Sequence, residues 1–128
     1  MYASAKGRQM NEDEGDELKE IVWEGDSREI LSSFPLEVRK DFGFELYALQ
    51  RGRLPSDWKP MKTLGKGVHE LRSADGRSWY RVIYFTRVKD KIHVLHCFEK
   101  KSSKTSQKDL NLARQRLKNL SKRTGVKL

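Results

Sequence analysis

Two consecutive segments, Ser78 to Arg87 and Ile92 to Glu99, carry apolar residues at adjacent positions rather than only at every second one. A strand that meets the core on one side alternates apolar and polar residues. A strand apolar on both sides must be covered, at least in part, on both faces. Lys89-Asp90-Lys91 turns the chain between them, so the two form a central antiparallel pair. Val68 to Arg72 precedes them and joins through Asp75-Gly76, a dipeptide suited to a tight hairpin because Gly accepts positive φ.

The remaining segments supply the cover. Glu20-Ile21-Val22-Trp23-Glu24 reads as a short first strand that Gly25-Asp26 breaks. Asp26 and Glu29 have the spacing of a capping box for a short helix, Ser27 to Ser32. Pro35 suits the start of a second helix, along which Val38, Phe42, Leu46 and Leu49 recur at helical spacing. Gly52 and Pro55 end it, and Arg53 to Lys59 reads as a loop. Ser106 and Asp109 predict the start of a last helix, with Leu110, Ala113, Leu117 and Leu120 on one face and Gly125 as its stop. Helices and antiparallel strands are segregated along the chain, which indicates an α+β fold.

The 128 residues fit one domain, expected over 20–128, with residues 1–19 as a flexible acidic arm. No run of about eighteen apolar residues spans a membrane. Met1 to Arg8 lacks the apolar core of a signal peptide, so the expectation is a cytoplasmic protein. Cys97 is the single cysteine, which excludes an internal disulfide and a cysteine-rich zinc site. It lies in an apolar run and reads as a buried small side chain. Of His69, His93 and His96, none has metal-ligand spacing on a helix, and strict alternation puts His93 and His96 on opposite faces of the sheet. Phosphate-loop, serine-elbow and paired-histidine metal motifs are all missing.

Charge distribution narrows the partner. The net charge is +9, and Glu99 to Leu128 carries ten Lys or Arg against two acidic residues. A basic C-terminal third is the footprint of a polyanion, most often nucleic acid. Two arginines also sit inside strands: Arg72 closes Val68-His69-Glu70-Leu71-Arg72, and Arg81 interrupts Trp79 to Phe85. An Arg there must be paired, with Glu70 or Glu99 as candidates, or must line a wet cleft. The guanidinium fork matches phosphate. With the basic turn Phe98 to Lys104, antiparallel pairing would bring Arg72, Arg81 and Lys100 to one end of one surface.

Four blocks in order carry a family resemblance: Met61-Lys62-Thr63-Leu64-Gly65-Lys66-Gly67-Val68-His69-Glu70-Leu71-Arg72; Trp79-Tyr80-Arg81-Val82-Ile83-Tyr84; Leu95-His96-Cys97-Phe98-Glu99-Lys100-Lys101; and Ala113-Arg114-Gln115-Arg116. The chain resembles the RelE/ParE toxin superfamily from about Ile21 to Leu120, and within it the phage-derived Gp49-like, HigB-type toxins of type II toxin–antitoxin systems. The resemblance implies a RelE-like antiparallel sheet of four to five strands, two N-terminal helices packed on it and a basic C-terminal helix.

It also implies a ribosome-dependent mRNA endoribonuclease that needs no metal or other cofactor. In that chemistry the ribose 2′-hydroxyl attacks the adjacent phosphate, and the enzyme stabilises the charged phosphorane and supplies an acid and a base. The implied partners are the ribosome, mRNA and a cognate antitoxin of the helix-turn-helix kind, with no membrane. Position by position, Arg81 and Arg72 resemble phosphate-binding arginines, and Lys100 with Lys101 matches the F-x-K-K pair. Lys62 and Lys66 would flank the groove, with Lys104 on the basic turn. The lysines of better-known relatives are replaced by His69-Glu70-Leu71, so Glu70 either takes a proton or orients Arg72. His96 and Lys100 are candidates for the acid. Two other readings compete: a gyrase-binding toxin of the ParE branch, and a non-catalytic RNA- or DNA-binding module.

Overall fold

A computed structural model describes residues 17–101 and 104–128, so most of the expected acidic arm lies outside the described residues. The chain runs β1 (Glu20–Trp23), α1 (Ser27–Ser32), α2 (Leu36–Gln50), β2 (Trp58–Pro60), β3 (Val68–Ala74), β4 (Trp79–Phe85), β5 (Lys91–Lys100) and α3 (Gln107–Thr124). The five strands form one sheet in the order β1-β5-β4-β3-β2. The fold is α+β, with five strands and three helices.

The turn chemistry explains the meander. Between β3 and β4, Gly76 takes φ +88°, and the Asp75 carboxylate accepts the backbone N–H groups of Arg77 and Ser78 at 2.9 and 3.0 Å. Between β4 and β5, Asp90 takes φ +61°, a conformation its short polar side chain tolerates.

Three expectations need correction. The sheet is mixed, not antiparallel: β1 pairs in parallel with β5, Glu20 opposite Lys91 through Trp23 opposite Val94. β1 reaches its neighbour only after two helices and three strands have intervened, the long crossover a parallel pair requires. Trp58–Pro60, expected in a loop, forms the edge strand β2, with Pro60 where a missing N–H is tolerated. The Asp26 carboxylate does not cap α1. It accepts instead from Arg116 Nη2 of α3 at 2.7 Å.

Both faces of the central strands are covered. Val38, Phe42, Leu46 and Leu49 of α2 share one core with Leu71, Tyr80, Val82, Tyr84 and Val94. On the other face, Ala113, Leu117 and Leu120 of α3 share a second core with Val68, Ile83, Phe85, Leu95 and Phe98. The end signals of α3 work as read: Ser106 Oγ accepts the Asp109 N–H at 3.1 Å, and Gly125 takes φ +77° beyond the last turn. Among the described residues no helix is long and apolar enough to cross a membrane.

Gly43 is an exception within α2. It sits mid-helix, and a Cβ there would meet nothing within 4 Å. Gly43→Ala is therefore expected to raise stability by about 1 kcal/mol through lost backbone freedom in the unfolded chain. A higher urea midpoint at unchanged slope would show it.

Candidate functional site

The pairing register assembles a cationic cluster on the α3 face of the sheet. Arg72 of β3 lies directly opposite Arg81 of β4, and Arg81 lies opposite Phe98 of β5. One step further out, Trp79 is opposite Lys100, and on the β2 side Lys59 is opposite Glu70. Strand partners share a face, so Lys59, Arg72, Arg81 and Lys100 converge around Glu70. Lys59 and Trp79 escaped the sequence reading. Lys59 lay in an expected loop, and Trp79 read as one more apolar strand residue.

Each cation is held differently. Arg81 is 7% exposed and Glu70 1%. Arg81 Nε stands 3.4 Å from Glu70 Oε1, too far for a good hydrogen bond, and both atoms are buried without one. Arg81 Nη1 donates to the Tyr80 carbonyl at 3.3 Å, and its guanidinium carbon lies 5.7 Å from the Trp79 ring centre. Burial is the largest influence on Arg81 and works against its charge, while Glu70 opposes it. Arg72 donates through Nε and Nη2 to Asp57 Oδ1 at 3.0 and 2.6 Å. Glu70 thus accompanies Arg81 rather than Arg72. Lys100 is held below the ordinary ammonium value, first by burial and then by the positive field of Arg81, with Glu70 opposing.

Other residues singled out from the sequence fall elsewhere. Lys101 follows β5, and Lys104 lies on the far side of a small cleft that both line with Lys100. Lys62 and Lys66 flank the turn before β3, at its opposite end from Arg72. Lys66 precedes the first residue of β3 by two positions, and Arg72 lies near the strand's other end. The structure does not bring these two to the cluster.

His96 and His93 correct the alternation argument. A bulge in β5 shifts the register between Ile83 opposite His96 and Tyr84 opposite Val94, so Leu95 is the extra residue. Both histidines consequently face α3. His96 Nε2 lies 2.7 Å from Asp109 Oδ1 and its Nδ1 3.4 Å from Arg116 Nη1. An arginine can only donate, so in this arrangement Nδ1 accepts from Arg116 and Nε2–H donates to Asp109, and the buried ring has both nitrogens engaged. His93 Nδ1 lies 2.7 Å from Glu24 Oε2, which also accepts from Arg123 Nη2 at 2.8 Å. Arg116 further donates to the Leu95 carbonyl at 3.0 Å. The arginine of the fourth sequence block therefore fastens α3 to β5 and to the β1–α1 loop. Cys97 is buried in the α2-side core, and burial raises its thiol far above the usual range.

Among the described residues no group of three or more His, Cys, Asp or Glu side chains is placed to hold a metal ion. What the cluster can do is bind and polarise a phosphate: an arginine held by Asp57, an exposed lysine, one lowered ammonium and a buried, under-bonded ion pair share one open end of the sheet.

No curated protein matches the chain. A family model described as phage-derived protein Gp49-like (DUF891) matches residues 29–118 and so spans β3, β4, β5 and most of α3. The match covers well over half of the sequence, and the chain belongs to this Gp49-like family, a family of RelE/HigB-like toxins.

Proposed function

We propose that the chain is a ribosome-dependent mRNA endoribonuclease that arrests translation. The observation that carries this reading is the direct pairing of Arg72 with Arg81, with Lys100 beside them across β4. Membership in a toxin family implies an antitoxin partner. The reading takes that partner to be a helix-turn-helix protein and the site of action to be the cytoplasm.

The geometry supports a metal-independent transesterification. The scissile phosphate lies over the cluster, where Arg72, Arg81 and Lys59 concentrate positive charge against developing phosphorane oxygens. The 2′-oxygen forms a bond to phosphorus, its proton passes to water, and the bond from phosphorus to the 5′-oxygen breaks. Lys100 supplies the proton that the leaving 5′-oxygen takes up. Its lowered affinity for that proton makes it a readier donor than an ordinary lysine. The products are a 2′,3′-cyclic phosphate and a 5′-hydroxyl. Glu70, buried against Arg81, orients the guanidinium, and His96, sealed by Asp109 and Arg116, takes no part.

The test is controlled expression followed by mapping of mRNA ends on ribosomes. Codon-phased cuts bearing 5′-hydroxyl ends are expected from the native chain and not from Lys100→Met. Growth arrest with intact mRNA and a DNA-damage response would instead identify a gyrase-directed toxin.

A further inference from the structure

A second cleft, of about 410 Å³, opens beside the cluster at the edge of β3 that β2 leaves uncovered. Arg72 and Trp79 belong to both places: each lines the cleft and each stands on the cluster face. Phe44 of α2 lines the same cleft as Trp79. These are two of the most exposed aromatics described, Phe44 at 69% and Trp79 at 56%. Burying neither ring costs the fold apolar contact, so the pair is better explained by what it could stack against than by packing.

Three carboxylates complete the lining, and each is half used. Asp41 Oδ2 accepts from Ser73 Oγ at 2.8 Å, Glu45 Oε2 from the Ser56 N–H at 2.9 Å, and Asp57 Oδ1 from Arg72. Their second oxygens have no partner among the described residues. With Arg72 as the one cation, the cleft presents spare acceptors and excess negative charge. Such a site repels phosphate and attracts a flat group rich in N–H donors. Single-stranded RNA offers that group as a base edge once the base is splayed onto an aromatic ring. Among the four bases guanine alone presents two adjacent donors, N1–H and the N2 amino group, on its Watson–Crick edge. A carboxylate can accept both.

We propose that this cleft is a nucleobase subsite selective for guanine, stacking the base between Trp79 and Phe44 and reading its donor edge with Asp41, Glu45 and Asp57. It rests on the cluster being the phosphate site, because Arg72 then links the phosphate to the base beside it. Cleavage should accordingly fall next to guanosine.

Tryptophan fluorescence of the full chain, titrated with guanosine, adenosine, cytidine and uridine 5′-monophosphates, tests the site without requiring cleavage. The guanosine nucleotide should bind about tenfold or more tightly than the others, as expected for one two-point base contact. The fluorescence response should vanish in Trp79→Phe. Phe44→Ala, at an exposed position, should weaken binding of every base. The double variant Asp41→Asn, Glu45→Gln, which keeps acceptors for Ser73 and Ser56, should abolish the preference for guanosine. Equal affinities for all four nucleotides would overturn the proposal. So would tighter binding of N-acetylarginine amide than of the guanosine nucleotide, which would mark a docking site for a protein side chain. Cleavage mapped with no base preference sinks the subsite and leaves the nuclease reading standing. Selective guanosine binding without any cleavage sinks the nuclease reading instead.

Discussion

Arg81→Met is expected to reduce RNA cleavage by about 10²–10³ and, separately, to lower stability by about 3–5 kcal/mol, the usual cost of leaving one member of a buried ion pair alone. The abandoned member is Glu70, almost fully enclosed and facing Arg81 at 3.4 Å. Two effects of one substitution must be told apart, and the pair itself offers the means. Arg81→Met combined with Glu70→Leu replaces both charges by apolar groups of similar volume, a change that is often neutral or stabilising. Urea denaturation should therefore show the double variant near the native midpoint while the single variant falls well below it. Cleavage should stay reduced by about 10²–10³ in both, because the positive charge facing the phosphorane is gone in both. Recovery of cleavage along with stability would reduce Arg81 to a structural residue.

The second large effect concerns Lys100 and pH. Burial and the neighbouring cations lower its proton affinity. As the acid, Lys100 must carry its proton, so the cleavage rate should fall as pH rises through the lowered value. Lys100→Arg keeps the charge but cannot release the proton, and should lose about 10²–10⁴ in rate together with that basic limb. Stability should move the other way. Between the lowered folded value and the ordinary one of about 10.4, the unfolded chain binds more protons than the folded one, so stability rises with pH across that window. Lys100→Met should flatten both trends. A rate profile in Lys100→Arg superimposable on the native one would exclude Lys100 as the acid.

Much of the scaffold was legible because the residues that make it act locally or all together. The two-sided apolar runs of β4 and β5 demanded cover on both faces, and α3 with the α2-side core supplies it. Ser106, Asp109 and Gly125 mark the ends of α3 by chemistry confined to one turn. What was not legible depends on contacts distant in sequence. The pairing of Glu20 with Lys91 has no local signature, and a strand of three residues ending in proline is too short to show a period. Asp26 has the right spacing for a cap and is drawn instead to Arg116, which outbids a backbone N–H with a full charge. Within the candidate site, Arg72, Arg81 and Lys100 were nameable from the sequence. Glu70 was nameable too, beside Glu99, as a partner for Arg81; the choice between them, the partner Asp57, the added Lys59 and the shelf made by Trp79 required the register.

The bulge at Leu95 carries a consequence for how the cluster can vary. Along a strand, faces alternate, so the side on which a residue emerges is a matter of parity. Counting from His93, which faces α3, strict alternation would send Lys100 to the opposite side, under α2. The one supernumerary residue changes odd to even, and Lys100 emerges beside Arg81. The cationic cluster is thus set by a count rather than by a local sequence. Straightening the bulge without removing a residue would leave every side chain of the cluster chemically intact, yet would put Lys100 on the wrong side of the sheet, whereas deleting Leu95 would restore regular alternation and keep Lys100 beside Arg81.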